Sequence, residues 1–348
     1  MKTLVNKLNG ISNSTKQLLG INLVIFLIFS ILRPERFLSF SNLESMSFQF
    51  SEAGFLTLGI AITMITAGAD LSIVAVANLV ATINGIILLN KMPEGLSDAQ
   101  QIPYIIGCFV VALLIGIICG SLNGFLVAKL GIFPILATLG TQNLYTGISM
   151  VLTKGQGVFG TFPDSLVFLG SGKLFGIFPM PFVLFLIALF IVFMIIHKTA
   201  HGYKTQWFGS NRKANHYNGI NNVAVVFKTY IVASLLGAFA GILILARTNS
   251  AKYDYGTTYV LQAMLASVLA GISPLGGKGN ILNILLSVFA IQMLDSGFNF
   301  LRISSFVRSS TYGLLLITSV ALEYFIRRYK QKKEIKKLEA MAELSSVE

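Results

Sequence analysis

Residues Phe182 to Ile196 read FVLFLIALFIVFMII, fifteen apolar residues in a row between Pro181 and His197. The rest of the chain has the same character. Of its 348 residues 54% are apolar and 11% charged, with a mean hydropathy of +0.76, whereas a soluble domain carries about 25% charged residues. No water-exposed surface can be built from this composition, which leaves an integral membrane protein. In hydrocarbon only helical bundles and closed barrels satisfy every backbone polar group, and barrel strands alternate in polarity over ~10 residues. The long unbroken runs predict helices instead.

Runs of the ~20 mostly apolar residues that a membrane span needs occur near 17–33, 45–67, 72–90, 104–127 and 135–153. Five more lie near 179–197, 223–246, 259–275, 280–298 and 306–326. The expected fold is an all-α, polytopic membrane helical bundle of about ten transmembrane helices. It forms one domain over 1–326, followed by a basic cytoplasmic tail over 327–348. The joints Gly68-Ala69-Asp70-Leu71 and Leu275-Gly276-Gly277-Lys278-Gly279 are the tightest. With the amino end inside, 17 of the 26 basic residues fall on the inner side, and the lysine and arginine excess marks the cytoplasm. Both termini are therefore expected to be cytoplasmic. The first run follows Lys2, Lys7 and Lys16 but continues into Arg33-Pro34-Glu35 without a small-x-small cleavage site, so it reads as an uncleaved anchor. Outer loops are short apart from 90–103 and the Gly/Pro-rich 154–179, and neither is large enough for a domain.

The net charge of +12 would suggest nucleic acid in a soluble protein; here it belongs to topology, and no nucleic acid is expected. Cys108 and Cys119 are eleven residues apart in one run, roughly 16 Å along a helix, too far for a disulfide. They read as small hydrophobes. His197, His201 and His216 share the largest inner loop, but only one pair has helical i, i+4 spacing and no cysteine or carboxylate joins them, so neither metal nor cofactor is expected. The 14 acidic residues are scattered, with only Glu52, Asp70 and Asp295 in or beside spans, and no catalytic constellation gathers. The stretch from Gly271 to Gly279 fails as a phosphate-binding loop, because Lys278 comes seven residues after Gly271 and is followed by glycine. If ATP drives this protein, another polypeptide hydrolyses it.

Charged residues at membrane depth face a bundle interior or an aqueous cavity, so Asp70 and Asp295 are candidates for a solute pathway. Asp70 or Ser72 can equally cap the helix after Gly68. In the ninth run Gln292, Asp295, Ser296 and Asn299 recur at helical spacing on one face, lining a path or bonding a neighbouring helix. Asn78 with Thr82, and Thr141, Gln142 and Asn143, form weaker polar sets. The glycines Gly116, Gly120 and Gly124, and Gly237 with Gly241, recur at intervals of four, a signal of close helix packing.

At several segments the chain resembles the membrane permeases of bacterial ABC importers of the ribose type. Gly68-Ala69-Asp70-Leu71-Ser72 resembles the family's G-I-D-L-S, Ala137-Thr138-Leu139-Gly140-Thr141 its A-T-L-G-T, and Leu122-Asn123-Gly124 with Leu126-Val127-Ala128 also fits. Gly209-Ser210-Asn211-Arg212-Lys213-Ala214 followed by Gly219-Ile220-Asn221 resembles G-x-N-x-x-A-x-x-x-x-G-I-N. Gly276-Gly277-Lys278-Gly279 and Gly297-Phe298-Asn299 fall at G-G-[R/K]-G and G-L-N, so the likeness runs collinearly over roughly 40–325.

The resemblance implies a non-catalytic subunit of the bacterial cytoplasmic (inner) membrane, paired with a second copy or a paralogue. Cytoplasmic ATP-binding subunits would dock on a short helix around Thr205 to Gly219, with Trp207 and Phe208 as apolar anchors and Gly209, Asn211, Ala214 and Gly219 forming the loop. An extracytoplasmic solute-binding protein would deliver a monosaccharide or related small polar solute. Ala69 and Val74 depart from the usual isoleucine and glycine, and Asp295 from the usual asparagine; an acid there could receive extra hydroxyls, an amine or a nucleoside base. The chief alternative is an ion-coupled secondary transporter using Asp70 and Asp295; a membrane-bound transferase lacks its acid or metal set. In the tail Ile335, Leu338, Met341 and Ala342 have helical spacing beside lysines that could hold anionic membrane lipid at ~1 kcal/mol each, or act as a plain stop-transfer cluster.

Overall fold

The structure, a computed structural model, describes residues 12–93 and 95–345, so expectations resting on Lys2, Lys7 and residues 346–348 lie outside it. The chain is a helical bundle with two short β-ladders. α1 (Asn13–Leu32) starts where the Ser12 hydroxyl accepts the Thr15 amide and stops ahead of Pro34, which opens α2 (Pro34–Phe37). Ser39 caps α3 (Phe40–Ile65) in the same way, and α4 (Ile73–Lys91) follows across the Gly68 joint. α5 (Asp98–Gly124) begins where Gln100 accepts the Ser97 amide. It loosens into a π-helical turn over Phe125–Lys129, and Gly131, at φ +70°, and Pro134 redirect the chain into α6 (Pro134–Leu152). Then come α7 (Asp164–Ser171), α8 (Met180–Lys198), α9 (Ala200–Ser210), α10 (Arg212–Tyr217) and α11 (Asn222–Thr248). α12 (Tyr259–Leu269), α13 (Asn283–Phe300) and α14 (Ser305–Ser345) complete the bundle. Of the two-residue strands β1 (Val158–Phe159), β2 (Lys173–Leu174), β3 (Phe178–Pro179) and β4 (Ser250–Ala251), β1 pairs antiparallel with β4 and β2 with β3.

Each of the ten expected segments contains a helix, but seven are long and apolar enough to cross a membrane: α1, α3, α4, α5, α8, α11 and the first part of α14. α12 has only 11 residues. α6 and α13 are diluted by the polar residues that drew attention in the sequence, Thr141 to Asn143 and Gln292 to Asn299. Among α3, α5 and α8 burial runs against hydropathy. α3, with a mean hydropathy of 1.4, is 89% buried, whereas α5 and α8, at 2.8, are each 33% buried. A soluble protein shows the reverse order; apolar side chains on the outside require a lipid solvent.

α3, α4 and α11 form the core. The glycine pattern is the reason they approach so closely: a Cβ at Gly120 of α5 would fall 2.6 Å from the Ile231 Cα of α11. Gly237 and Gly241 lie against the backbone of Ile73 and Ala77 in α4. Cys108 and Cys119 are free and buried. The Gly/Pro-rich 154–179 loop contains a helix, α7. Pro163 and Asp164 start it, and Gly170 lets it rest on the backbone of Ala246 and Arg247. α14 runs unbroken across position 326.

Candidate functional site

Turns and loops gather at two ends of the bundle, and the motif residues cluster at one of them. There α3 ends at Thr66, Ala67 takes a left-handed φ of 56°, and the Asp70 amide donates to Thr63 Oγ1 at 3.1 Å. Asp70 Oδ1 accepts the Ser72 amide at 2.9 Å and the Ser72 hydroxyl at 2.7 Å. Asn123 of α5 donates to Ser72 Oγ at 2.8 Å and lies 3.4 Å from Asp70 Oδ2, and Thr141 of α6 donates to Asn123 Oδ1 at 2.7 Å. All four residues are buried. A charge taken out of water persists only with such donors. Asp70, Ser72 and Thr141 thus tie α4, α5 and α6 together through Asn123.

Beside this bracket lies a three-way junction. The Gly277 amide donates to the Ile65 carbonyl at 2.9 Å, across the end of α9. A Cβ at Gly209 would come within 3.0 Å of Ile65 O, Gly277 N and Gly277 Cα; one at Gly276 would lie 2.8 Å from Ala67. Gly276 and Gly277 have φ of +87° and +78°, which L side chains rarely adopt. The loop of α9 and α10 is thus seated directly on the joints after α3 and α12. Two helices stand where one was expected, split at Asn211, whose side chain caps α10 by accepting the Ala214 amide. Phe208 and Trp207 turn to different sides of α9. Phe208 is 7% exposed against Val225, Val226 and Tyr230 of its own chain, while Trp207 is 57% exposed and Ala214 is open. Gly219, at φ +73°, turns the loop into α11. Among the described residues no three His, Cys, Asp or Glu side chains gather.

At the opposite end a polar recess of about 410 Å3 opens between the start of α3 and α13. Gln292, Ser296 and Asn299 face Asn42, Ser45 and Gln49 across it. Gln292 donates to Gln49 Oε1 at 3.3 Å and Ser296 to Asn42 Oδ1 at 2.6 Å. Asp295 does not share this face. Its carboxylate accepts from Gln262 at 2.9 Å and from the Tyr312 hydroxyl, joining α12, α13 and α14. Asn78 is likewise occupied, donating to the carbonyls of Tyr253 and Tyr255 at 3.1 and 2.9 Å, and Asn143 is exposed on the outer face of α6, away from Thr141. Reasoning from sequence missed the bidentate pair of Glu52 and Arg247, at 2.6 and 2.9 Å, because Arg247 fell in an expected outer loop.

A profile of the family described as the branched-chain amino acid transport system permease component matches residues 42–320. The ribose import permease of Bacillus subtilis (strain 168) is 32% identical over 321 residues, covering 90% of this chain and 94% of that protein. The chain belongs to the family of ribose-type ABC importer permeases. This permease is also 30% identical over 303 residues to the autoinducer 2 import system permease of Photorhabdus laumondii, covering 86% of this chain and 87% of that one. With the D-allose transport system permease of Escherichia coli (strain K12) it shares 27% over 305 residues, 88% and 90% of the two chains. No solved structure matches it. The ion-coupled alternative has no support among these relatives. Membership and the seven apolar helices make this permease a multi-pass protein of the bacterial inner membrane.

Proposed function

We propose that this permease is the non-catalytic membrane subunit of an ATP-driven importer that passes a monosaccharide or related small polar solute inward. In this reading all ten expected segments cross the membrane, both termini are cytoplasmic, and residues 1–326 form the permease domain with 327–348 as its tail. The observation that carries it is the junction of Gly209 with Ile65 and Gly277. A force applied to the loop of α9 and α10 reaches the ends of α3 and α12 without an intervening flexible segment, as rigid-body rocking between two arrangements requires. Trp207, Asn211 and Ala214, open to solvent, face the cytoplasmic ATP-binding subunits. Phe208, Gly209 and Gly219 shape the loop from within.

The pathway begins at the outer recess, where Gln292 and Asn299 offer amides and Ser296 a hydroxyl beside Glu35 and Arg36, a donor and acceptor set suited to a polyhydroxylated solute. An extracytoplasmic solute-binding protein delivers the solute there. Asn143, on the open face of α6, and the sparsely covered α14, 6% buried, are left for a second permease copy or paralogue. The relatives named for ribose, allose and autoinducer 2 support a sugar or a signalling sugar; a nucleoside is the remaining choice.

The test is uptake into vesicles holding the reconstituted complex, with labelled monosaccharide on the binding protein. ATP-dependent uptake is expected, and Ala214→Trp, on an exposed site that leaves the bundle intact, abolishes it. Uptake driven by an ion gradient without ATP refutes the proposal.

A further inference from the structure

α8 carries two apolar stripes at helical spacing. Phe185, Leu189, Val192 and Ile196 are buried, and Phe185 fills the space beside Gly54 of α3. One residue earlier, Leu184, Ala188, Ile191 and Ile195 form a second stripe, and Val232, Leu235, Phe239 and Ile242 form its counterpart on α11. Between these two lies a groove of about 280 Å3, walled by apolar side chains throughout. Its rim carries Ile187 and Ile191, 52% and 51% exposed, and its floor is Phe55 of α3, 4% exposed and stacked on Phe239 at 6.3 Å. Over residues 184–195 the groove is about 16 Å long, half of the ~30 Å hydrocarbon thickness. Towards the motif end it meets a polar notch. Val192, Ile195 and Val232 line both, and the notch adds His201 of α9 and Thr229 of α11, whose Nε2 and Oγ1 are 3.4 Å apart. Burial, and then the charges of Lys228 and Lys204, hold the His201 imidazole below its usual pKa, which puts both lysines beside the notch. Both are exposed, and among the described residues no carboxylate pairs with either.

We propose that this groove holds one acyl chain of an anionic phospholipid, with its phosphate at the motif end beside Lys204 and Lys228. An apolar slot half a bilayer long that ends in unpaired cations matches that molecule in both halves. A helix of a second copy is the wrong size, since 16 Å of helix about 10 Å across occupies on the order of 1,000 Å3. It would cover the rim at Ile187 and Ile191 and leave an empty space over Phe55 and Phe239, whereas packed interiors hold few such voids. A flexible acyl chain reaches the floor. Because α8 passes through Thr199 directly into α9, the chain braces α8 against α11 next to the loop that α9 opens. The site stands whichever way the solute is driven, and only the choice of the inner leaflet rests on the topology proposed above.

The experiment is native mass spectrometry of the permease released in mild detergent from nanodiscs of mixed phosphatidylcholine and phosphatidylglycerol. One retained phosphatidylglycerol per chain is expected. Ala188→Phe, which places a ring in the groove, lowers retention about tenfold, whereas Ile118→Phe, at a 66% exposed position of α5, leaves it unchanged. Lys204→Gln and Lys228→Gln each lower the preference for phosphatidylglycerol over phosphatidylcholine about fivefold. A phosphatidylglycerol with a photoactivatable diazirine at mid-chain puts the same question to the unaltered protein, and its label should concentrate on residues 184–195 and 232–243. Label spread evenly over the exposed faces of the bundle, full retention in Ala188→Phe, or equal retention of phosphatidylcholine overturns the proposal. So does Ile187→Cys that cross-links to another polypeptide, the mark of a protein occupant.

Discussion

Replacing Gly209 by alanine adds one methyl group where three backbone atoms lie within 3.0 Å of its position. None of them can rotate aside, so the α9 end must move away from the α3 and α12 joints. Overpacking of this kind costs about 1–3 kcal/mol, and the Gly277 to Ile65 hydrogen bond lost with it about 1 kcal/mol more. Alanine returns about 1 kcal/mol through its better helix propensity. The net, about 2 kcal/mol, shifts the seated-to-released ratio of the loop by roughly 30-fold. The assay is the number of solute molecules taken up per ATP hydrolysed in vesicles, measured beside the amount of folded protein. Uptake per ATP should fall at least tenfold with normal protein yield. Gly107→Ala, where no atom lies within 4 Å, serves as the matched control and should be silent. Unchanged coupling in Gly209→Ala would mean that the loop does not act through this junction.

Asp295→Asn keeps the side-chain shape but turns one acceptor into a donor, which the Gln262 amide can meet by flipping, so thermal stability should fall by no more than about 1 kcal/mol with solute affinity unchanged; altered affinity at unchanged stability would place Asp295 on the pathway. Gln292→Leu removes an amide from the outer recess and should raise the KM of uptake about fivefold, with expression unaffected; an unaltered KM takes the recess out of the path. Glu52→Leu leaves Arg247 without its carboxylate and should cost about 3 kcal/mol, read as a lowered melting temperature. Adding Arg247→Leu should recover much of that loss, and a single variant as stable as the parent would show that the pair contributes nothing.

The membrane class, the helical architecture and the places of the helices were legible because hydrocarbon imposes a crude rule on length and polarity. The glycines at intervals of four were legible for a similar reason, since only they allow α5, α11 and α4 to approach. What the sequence could not display was which way polar side chains turn. Asp295 and Ser296 are neighbours in the chain, but one closes a bracket to α12 and α14 and the other opens onto the recess. Asp70 and Thr141, 71 positions apart, meet only through Asn123, whose amide is unremarkable in an apolar run. α7 escaped notice because its eight residues have no span-length signal, although Pro163-Asp164 is a helix-start pair. Trp207 and Phe208 are adjacent apolar residues in the sequence, and the turn of the helix sends one outward and the other into the core.

Purification of the tagged permease in mild detergent, with mass identification of everything that stays bound, tests the central claim most directly. An ATP-binding subunit present in equal amount is the expected result. A permease that emerges alone, and moves solute across vesicle membranes without ATP, contradicts it.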